Sequence, residues 1–383
     1  MIADRIKKLK SSATMQINRK SKEMQAKGIE VINLSVGEPD FDTPEPIKQY
    51  AIKAIKEGFN KYTDEQGIFE LRKEIARKLQ EDNGLSYDPS QIVVSNGAKH
   101  SLFNLFLAIT EPGDEIIIPA PYWVSYPAMV NIAGGIPVFC RWNNNFKIDI
   151  DHLKSLITKK TKAVVLNSPS NPTGIVYEKR ELEEISEVLI DRGILCISDE
   201  VYEKIIYENK KHISIASITP EMKKLTIVVN GVSKSFSMTG WRIGYIAAED
   251  EIARAVSKIQ GQTTSAPCSI SQKAAYYAIK QGDVLSSAMI QEFRNRRDFL
   301  IENLSKEFFY PIPMGAFYLF LNYRDMDSVL LADRLLKKKF LATVPGQDFG
   351  ADRFIRISYA TSMENIQKTV ERLNEVAQEG ELI

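Results

Sequence analysis

Cysteine and histidine are scarce, with three of each in 383 residues. Cys140, Cys196 and Cys268 show no paired spacing, and His100, His152 and His212 are too scattered for a motif-level metal site. Neither a disulfide framework nor a metal centre is therefore expected. An excess of either charge is also missing. Fifty basic against 49 acidic residues leave a net charge of +1, so no overall field favours nucleic acid or an anionic membrane, and the expected partner is a small molecule. No window approaches the ~18 continuous apolar residues of a spanning helix, and Met1 to Lys8 lack an apolar signal core. A soluble, cytoplasmic protein is expected. There is no internal repeat and no low-complexity tract. Gly-x-Gly-x-x-Gly and Gly-x-Ser-x-Gly are both absent, which argues against a dinucleotide dehydrogenase and a serine hydrolase.

What is present suits a sizeable core. The chain is 44% hydrophobic, and its length suggests about two domains. Helical patterns at Pro46 to Glu57 and Gly67 to Asn83 give way to alternating strands and helices. The predicted strands are Ile92 to Ser95, Glu115 to Pro119, Lys162 to Asn167, Ile194 to Asp199 and Leu225 to Asn230, with a helix from about Lys99 to Ile109. Continuous apolar runs such as Ala163 to Leu166 predict a mainly parallel sheet covered on both faces. After about residue 285 the pattern changes to helices near Ile290 to Lys306, Asp327 to Lys338 and Met363 to Gln378, with strands at Ala316 to Leu321 and Phe354 to Ser358. The expected architecture is a large α/β domain over 45–285. A smaller α+β domain would be built from 286–383 and from 1–44, whose loop Gly37 to Asp42 returns to pack on it.

The most informative segment runs from Gly231 to Tyr245. It sets Lys234 among small and hydroxylated residues just past a predicted buried strand, with Arg242 eight positions later. Open α/β sheets place ligands at strand carboxyl ends. A desolvated lysine is readily made neutral, while a guanidinium offers a fork of donors to phosphate oxygens. Together they suggest pyridoxal phosphate. Four further strand ends carry suitable residues. In Ser95 to Lys99, a small-residue turn opens a helix whose free amides suit a phosphate. In Asn167 to Gly174, prolines and glycine shape a loop that sets the Asn171 amide as a donor. In Ser198 to Tyr202, Asp199 at the end of a buried strand calls for a partner such as a protonated pyridine nitrogen. In Pro119 to Pro127, Trp123 offers a face to a flat ring. Each also has an ordinary reading as a turn, a helix N-cap or a core tryptophan.

In combination, Asn-Pro-Thr-Gly at 171–174, Ser-Asp-Glu-x-Tyr at 198–202, Ser-Lys-x-Phe-x-Met-x-Gly-x-Arg-x-Gly at 233–244 and the late Arg356 are far more specific. The chain resembles the fold-type I, class I/II aminotransferases over essentially its full length, and looks closest to bacterial aspartate aminotransferases of the prephenate-accepting subgroup. The resemblance implies that Lys234 carries the cofactor aldehyde, that Asp199 faces the pyridine nitrogen, and that Tyr202 and Asn171 reach the phenolic oxygen. Trp123 would cover the ring. Arg242, the amides of Ala98 and Lys99, and a hydroxyl from Ser233 or Ser235 would hold the phosphate. Arg356 would bind the substrate α-carboxylate beside Gly37, Trp123 and Asn171. Relatives reach a neighbouring phosphate with a tyrosine matching Tyr62, which implies a homodimer with composite sites. Many relatives carry a serine three residues before the lysine, where this chain has Gly231.

The implied activity moves an amino group between an L-amino acid and a 2-oxo acid, with aspartate and 2-oxoglutarate expected and prephenate or aromatic keto acids as further acceptors. Lys10 and Lys99 are the candidates for a distal carboxylate. Rival readings are a lyase, decarboxylase or synthase on the same cofactor, and a non-catalytic cofactor-binding regulator. A held α-carboxylate disfavours its loss, and no basic DNA-binding extension accompanies the chain.

Overall fold

A computed structural model describes residues 2–7, 9, 13–208 and 210–379. Local chemistry sets the helices that precede the main sheet. Glu45–Lys56 starts beside Pro44 and Pro46, carries Glu45 in its first turn and Lys53 and Lys56 in its last, and buries Ile47, Ala51 and Ala54. That charge order complements the helix dipole. Phe69–Asn83 stops at Gly84, whose φ of 70° is open to glycine at little cost.

Seven strands form one sheet in the order Ile92–Ser95, Gly244–Ala247, Thr226–Gly231, Leu195–Asp199, Thr161–Asn167, Glu115–Pro119, Ile136–Cys140. Six run in the same direction, and only Gly244–Ala247 opposes its neighbours. Side chains alternate between two covered faces. Val165, Ile197, Ile227 and Val229 pack with Leu102, Phe106 and Val256 on one face. Val164, Leu166 and Cys196 pack with Leu182, Ile185 and Leu189 on the other. Because the strands are parallel, the loops after Ser95, Pro119, Asn167, Asp199 and Gly231 all emerge along one edge.

Two strands of this sheet escape the sequence reading. Ile136–Cys140 is an edge strand with Pro137 in it and two exposed apolar side chains. Gly244–Ala247 is a four-residue strand that begins inside the lysine motif.

A second sheet, antiparallel throughout, has the order Val344–Pro345, Phe354–Ser358, Tyr318–Tyr323, Phe308–Phe309. The helices Ser287–Asn303, Ser328–Lys339 and Met363–Glu379 accompany it. The amino-terminal loop does return to this unit. Ile32–Asn33 pairs with Leu341–Ala342, Asp40 meets Arg296 at 2.7 Å, and Phe41 stands edge-on to Phe293 at 5.5 Å. The cores run across the seam, with Val201, Tyr202 and Ile205 packing among Phe317, Tyr318 and Leu319. Among the described residues, no helix is long and apolar enough to cross a membrane.

Candidate active site

The strand-end loops enclose a cavity of about 320 Å³, within the ~300–1,000 Å³ of small-molecule sites. Asp199 lies on its wall at the end of an apolar strand, in register with Asn167. Its carboxylate accepts from Tyr126 Oη at 2.6 Å and from Val201 N at 3.3 Å. Among the described residues it has no ion pair. Burial is therefore the leading influence and raises its pKa to about 6, with the Tyr126 hydrogen bond opposing and the Glu200 charge assisting.

Lys234 follows the strand Thr226–Gly231, and its Nζ donates to the Gly37 carbonyl at 2.6 Å. Burial brings its pKa down to about 8. The cations Arg242, Arg356 and Lys99 push the same way, and Glu38 opposes them. Among the described residues, a buried acid without an ion pair and a lysine without one thus share one cavity.

A corner rich in donors lies where the helix Ala98–Ile109 begins. First-turn amides such as those of Ala98 and Lys99 have no intrahelical acceptor. Gly97 has φ 84°, and a Cβ there would come within 2.5 Å of Arg242 Nη2. Arg242 sits in the left-handed region, with Nη1 donating to Thr239 O at 2.8 Å and Nη2 to Asn96 O at 3.2 Å. Ser233 lines the cavity, whereas Ser235 lines a separate pocket beside Lys78 and Glu203. A Cβ on Gly231 would lie 2.9 Å from Gly244 Cα and from Ile243 O, so the strand pair leaves no room for a serine there.

Arg356 also lines the cavity and is buried. It donates through Nη1 to Asn171 Oδ1 at 3.0 Å and through Nη2 to Ser35 O at 2.6 Å, and its Nε has no hydrogen-bond partner among the described residues. Its guanidinium lies over Tyr318 at 4.5 Å and near Phe349 at 5.2 Å. The Lys99 ammonium sits 4.9 Å from the centre of the Trp123 ring.

Of the residues singled out in the sequence, Gly37, Ala98, Lys99, Trp123, Asn171, Asp199, Tyr202, Ser233, Lys234, Arg242 and Arg356 all line this one cavity. Tyr62 does not. It is 97% exposed and lies outside the cavity of its own chain, and Lys10 falls outside the described residues. Sequence reasoning missed Tyr126, which bonds Asp199 and follows Trp123 by three positions. It also missed Tyr318, whose hydroxyl is 2.8 Å from that of Tyr202, and Thr14 and Met15, which reach the cavity from the helix Ala13–Ala26. The fold further brings ligand atoms of Glu200, Glu203 and His212 within 4.8 Å of one another. There Lys78 already bonds Glu203, and His212 Nε2 lies 2.9 Å from Glu200.

Residues 29–373 match the family described as aminotransferase class I and II. The chain belongs to that family. The aminotransferase is 45% identical to an aspartate aminotransferase of Geobacillus stearothermophilus, with 97% of this chain and 98% of the relative covered. A probable aspartate/prephenate aminotransferase of Aquifex aeolicus is 43% identical, with 99% of each chain covered. The solved aspartate aminotransferase from Thermus thermophilus with maleate superposes with a TM-score of 0.94 at 40% identity, covering 98% of this chain and 99% of that one. The enzyme is pyridoxal-phosphate dependent, as its family is. The residues present fit that group. A buried carboxylate without an ion pair among the described residues suits a pyridinium, and a helix N-terminus flanked by an arginine suits a phosphate. A depressed lysine beside both suits an aldehyde.

Proposed function

We propose that this aminotransferase takes aspartate as amino donor and 2-oxoglutarate as acceptor, with prephenate as a further acceptor. One observation carries the dicarboxylate reading: Arg356 and Lys99 are two cations lining one cavity that also holds Lys234. Arg356 grips the α-carboxylate with a bidentate fork, and Lys99 meets the distal one. Burial and the nearby Arg242 charge lower the Lys99 pKa, and a bound carboxylate relieves both.

The chemistry pyridoxal phosphate supplies when bound is an aldehyde for the substrate amine and a ring that draws electrons from its α-carbon. The chain's own residues do the rest. Asp199 keeps a negative charge against the ring nitrogen, and Tyr126 keeps that carboxylate oriented. Tyr202 and Asn171 offer donors on the side of the ring oxygen. Arg242, Ser233 and the Ala98 and Lys99 amides hold the phosphate. Trp123 covers one ring face and excludes water there. Lys234 would hold the aldehyde carbon and, as a neutral amine, would be the base that moves a proton on and off the substrate α-carbon, for which its depressed pKa suits it. A fixed α-carboxylate at Arg356 argues against decarboxylation.

The phosphate and ring contacts fall within 45–285, and the carboxylate grip within 286–383 packed with 1–44; we take these as the two domains. We further place the enzyme in the cytoplasm as a homodimer. A panel of amino donors added to the holoenzyme, followed by cofactor absorbance, tests the reading. Aspartate should convert the cofactor to its amine form. Conversion by no amino acid overturns the activity, and conversion only by monocarboxylic donors overturns the dicarboxylate assignment.

A further inference from the structure

We infer that Tyr318 is a positioning residue that joins the substrate-carboxylate grip to the cofactor-oxygen side of the site. The inference rests on the roles proposed above for Arg356 and Tyr202. Tyr318 opens the strand Tyr318–Tyr323 of the smaller sheet. It pairs with Ser358 and is therefore diagonal to Arg356 on the adjacent strand, a spacing within reach of an aromatic ring.

Three contacts converge on this side chain. Its ring lies 4.5 Å from the Arg356 guanidinium. Its hydroxyl is 2.8 Å from the Tyr202 hydroxyl. That hydroxyl also occupies the space where a Cβ of residue 37 would stand, 2.6 Å away, so only glycine lets it pass the loop whose carbonyl holds Lys234. Tyr318 is fully buried.

Either hydroxyl of this pair can donate, and we assign the direction from the groups around them. Arg356 and Tyr202 are the groups that act on Tyr318, whereas Tyr202 feels Asp199 as well as Arg356. Arg356 lies against the ring of Tyr318, and we take Tyr318 as the donor to Tyr202. With that direction the Tyr202 proton is left for the cavity that Tyr202 lines, where it would face the cofactor's ring oxygen. A carboxylate arriving at Arg356 cancels part of that cation, weakens the donor and is felt at Tyr202 without touching it. Hydroxyl and ring therefore have separable tasks. The hydroxyl sets Tyr202, and the ring supports Arg356.

The test uses holoenzyme and the unreactive dicarboxylate maleate. The pH midpoint of the cofactor absorbance is measured with and without maleate, together with maleate affinity, in wild type, Tyr318→Phe, Tyr318→Leu and Arg356→Lys. Tyr318→Phe should keep maleate affinity within about twofold, raise the absorbance midpoint, and shrink the shift that maleate causes. Tyr318→Leu should do the same and also weaken maleate roughly tenfold, the scale of one buried cation–π contact. In catalysis this becomes a kcat effect for Phe, joined by a KM effect for Leu. If Arg356→Lys weakens maleate while both Tyr318 variants titrate and bind as wild type does, the Tyr318 assignment fails alone. If Arg356→Lys binds maleate as wild type does, the carboxylate grip fails, and the coupling with it.

Discussion

Burial lifts the Asp199 pKa from 3.8 to about 6, so between those values the folded chain holds a proton that the unfolded chain has released. Stability therefore falls as pH rises through this window, and above it the ionised group costs the cofactor-free protein about 3 kcal/mol. Asp199→Asn removes the charge but cannot accept both hydrogen bonds as well. The cofactor-free variant should be more stable than wild type by roughly 1–3 kcal/mol at pH 7.5, with the gap closing near pH 4. Urea unfolding at the two pH values reads this directly, and an equal gap at both would contradict it. Lys234 shifts the other way. With a pKa of about 8 it is roughly 10% neutral at pH 7, against about 0.04% for an ordinary lysine. Only the neutral amine attacks an aldehyde, so cofactor uptake by the cofactor-free enzyme should speed up with pH and level off above about 8. A rate still climbing toward pH 10 would place the lysine in water. The identities of both groups could be read from motifs. Their supports could not, because Tyr126 lies 73 positions from Asp199 and Tyr318 lies 116 from Tyr202.

At the scale of elements, the junction of Thr226–Gly231, Gly244–Ala247 and the start of the helix Ala98–Ile109 is built on glycines. Gly231 pairs with Gly244, and a Cβ on Gly244 would lie 2.1 Å from Ala98 N. Backbone meets backbone here, so no side chain can move aside. Gly231→Ser, which adds a hydroxyl three residues before Lys234, should destabilise the protein by about 1–3 kcal/mol without tightening the cofactor. Thermal unfolding and cofactor titration check both halves, and a tighter complex with unchanged stability would show that the strand pair yields. The same junction explains what periodicity could and could not reveal. Ala163 to Leu166 and Ile227 to Val229 are buried on both faces, and their continuous apolar runs announced parallel strands. Gly244–Ala247 is short, starts with glycine and runs against its neighbours, so its pairing with Ile92–Ser95 left no alternating pattern to read. Ile136–Cys140 failed for another reason: an edge strand meets solvent, and its burial follows no period.

For the whole molecule, Tyr62 stands apart from the cavity of its own chain. It is 97% exposed, and the apolar side chains of Phe69, Ile52 and Ile55 on the neighbouring helices are exposed too. A polar-tipped aromatic this exposed and outside its own cavity suits a site on a second copy of the chain, with two equivalent sites related by a two-fold axis. The proposed homodimer then makes a prediction that no monomer shares. Lys234→Ala homodimers lack the reactive amine in both sites, and Tyr62→Ala homodimers lack the crossing tyrosine in both. When the two are mixed and allowed to exchange subunits, half of the dimers become hybrids. Each hybrid has one site with Lys234 from one chain and Tyr62 from the other, so about a quarter of all sites regain both residues. Activity should rise to about that fraction of wild type, above the sum of the two parents. If Tyr62 served the cavity of its own chain, every site in the mixture would still lack one residue and exchange would restore nothing. The size of the recovery also separates the two ways of losing Tyr62. A tyrosine that only supports the interface leaves the parent weakly associated, and its activity is recovered by raising protein concentration. A tyrosine that reaches the partner's phosphate leaves a stable dimer whose cofactor affinity recovers only with the hybrid.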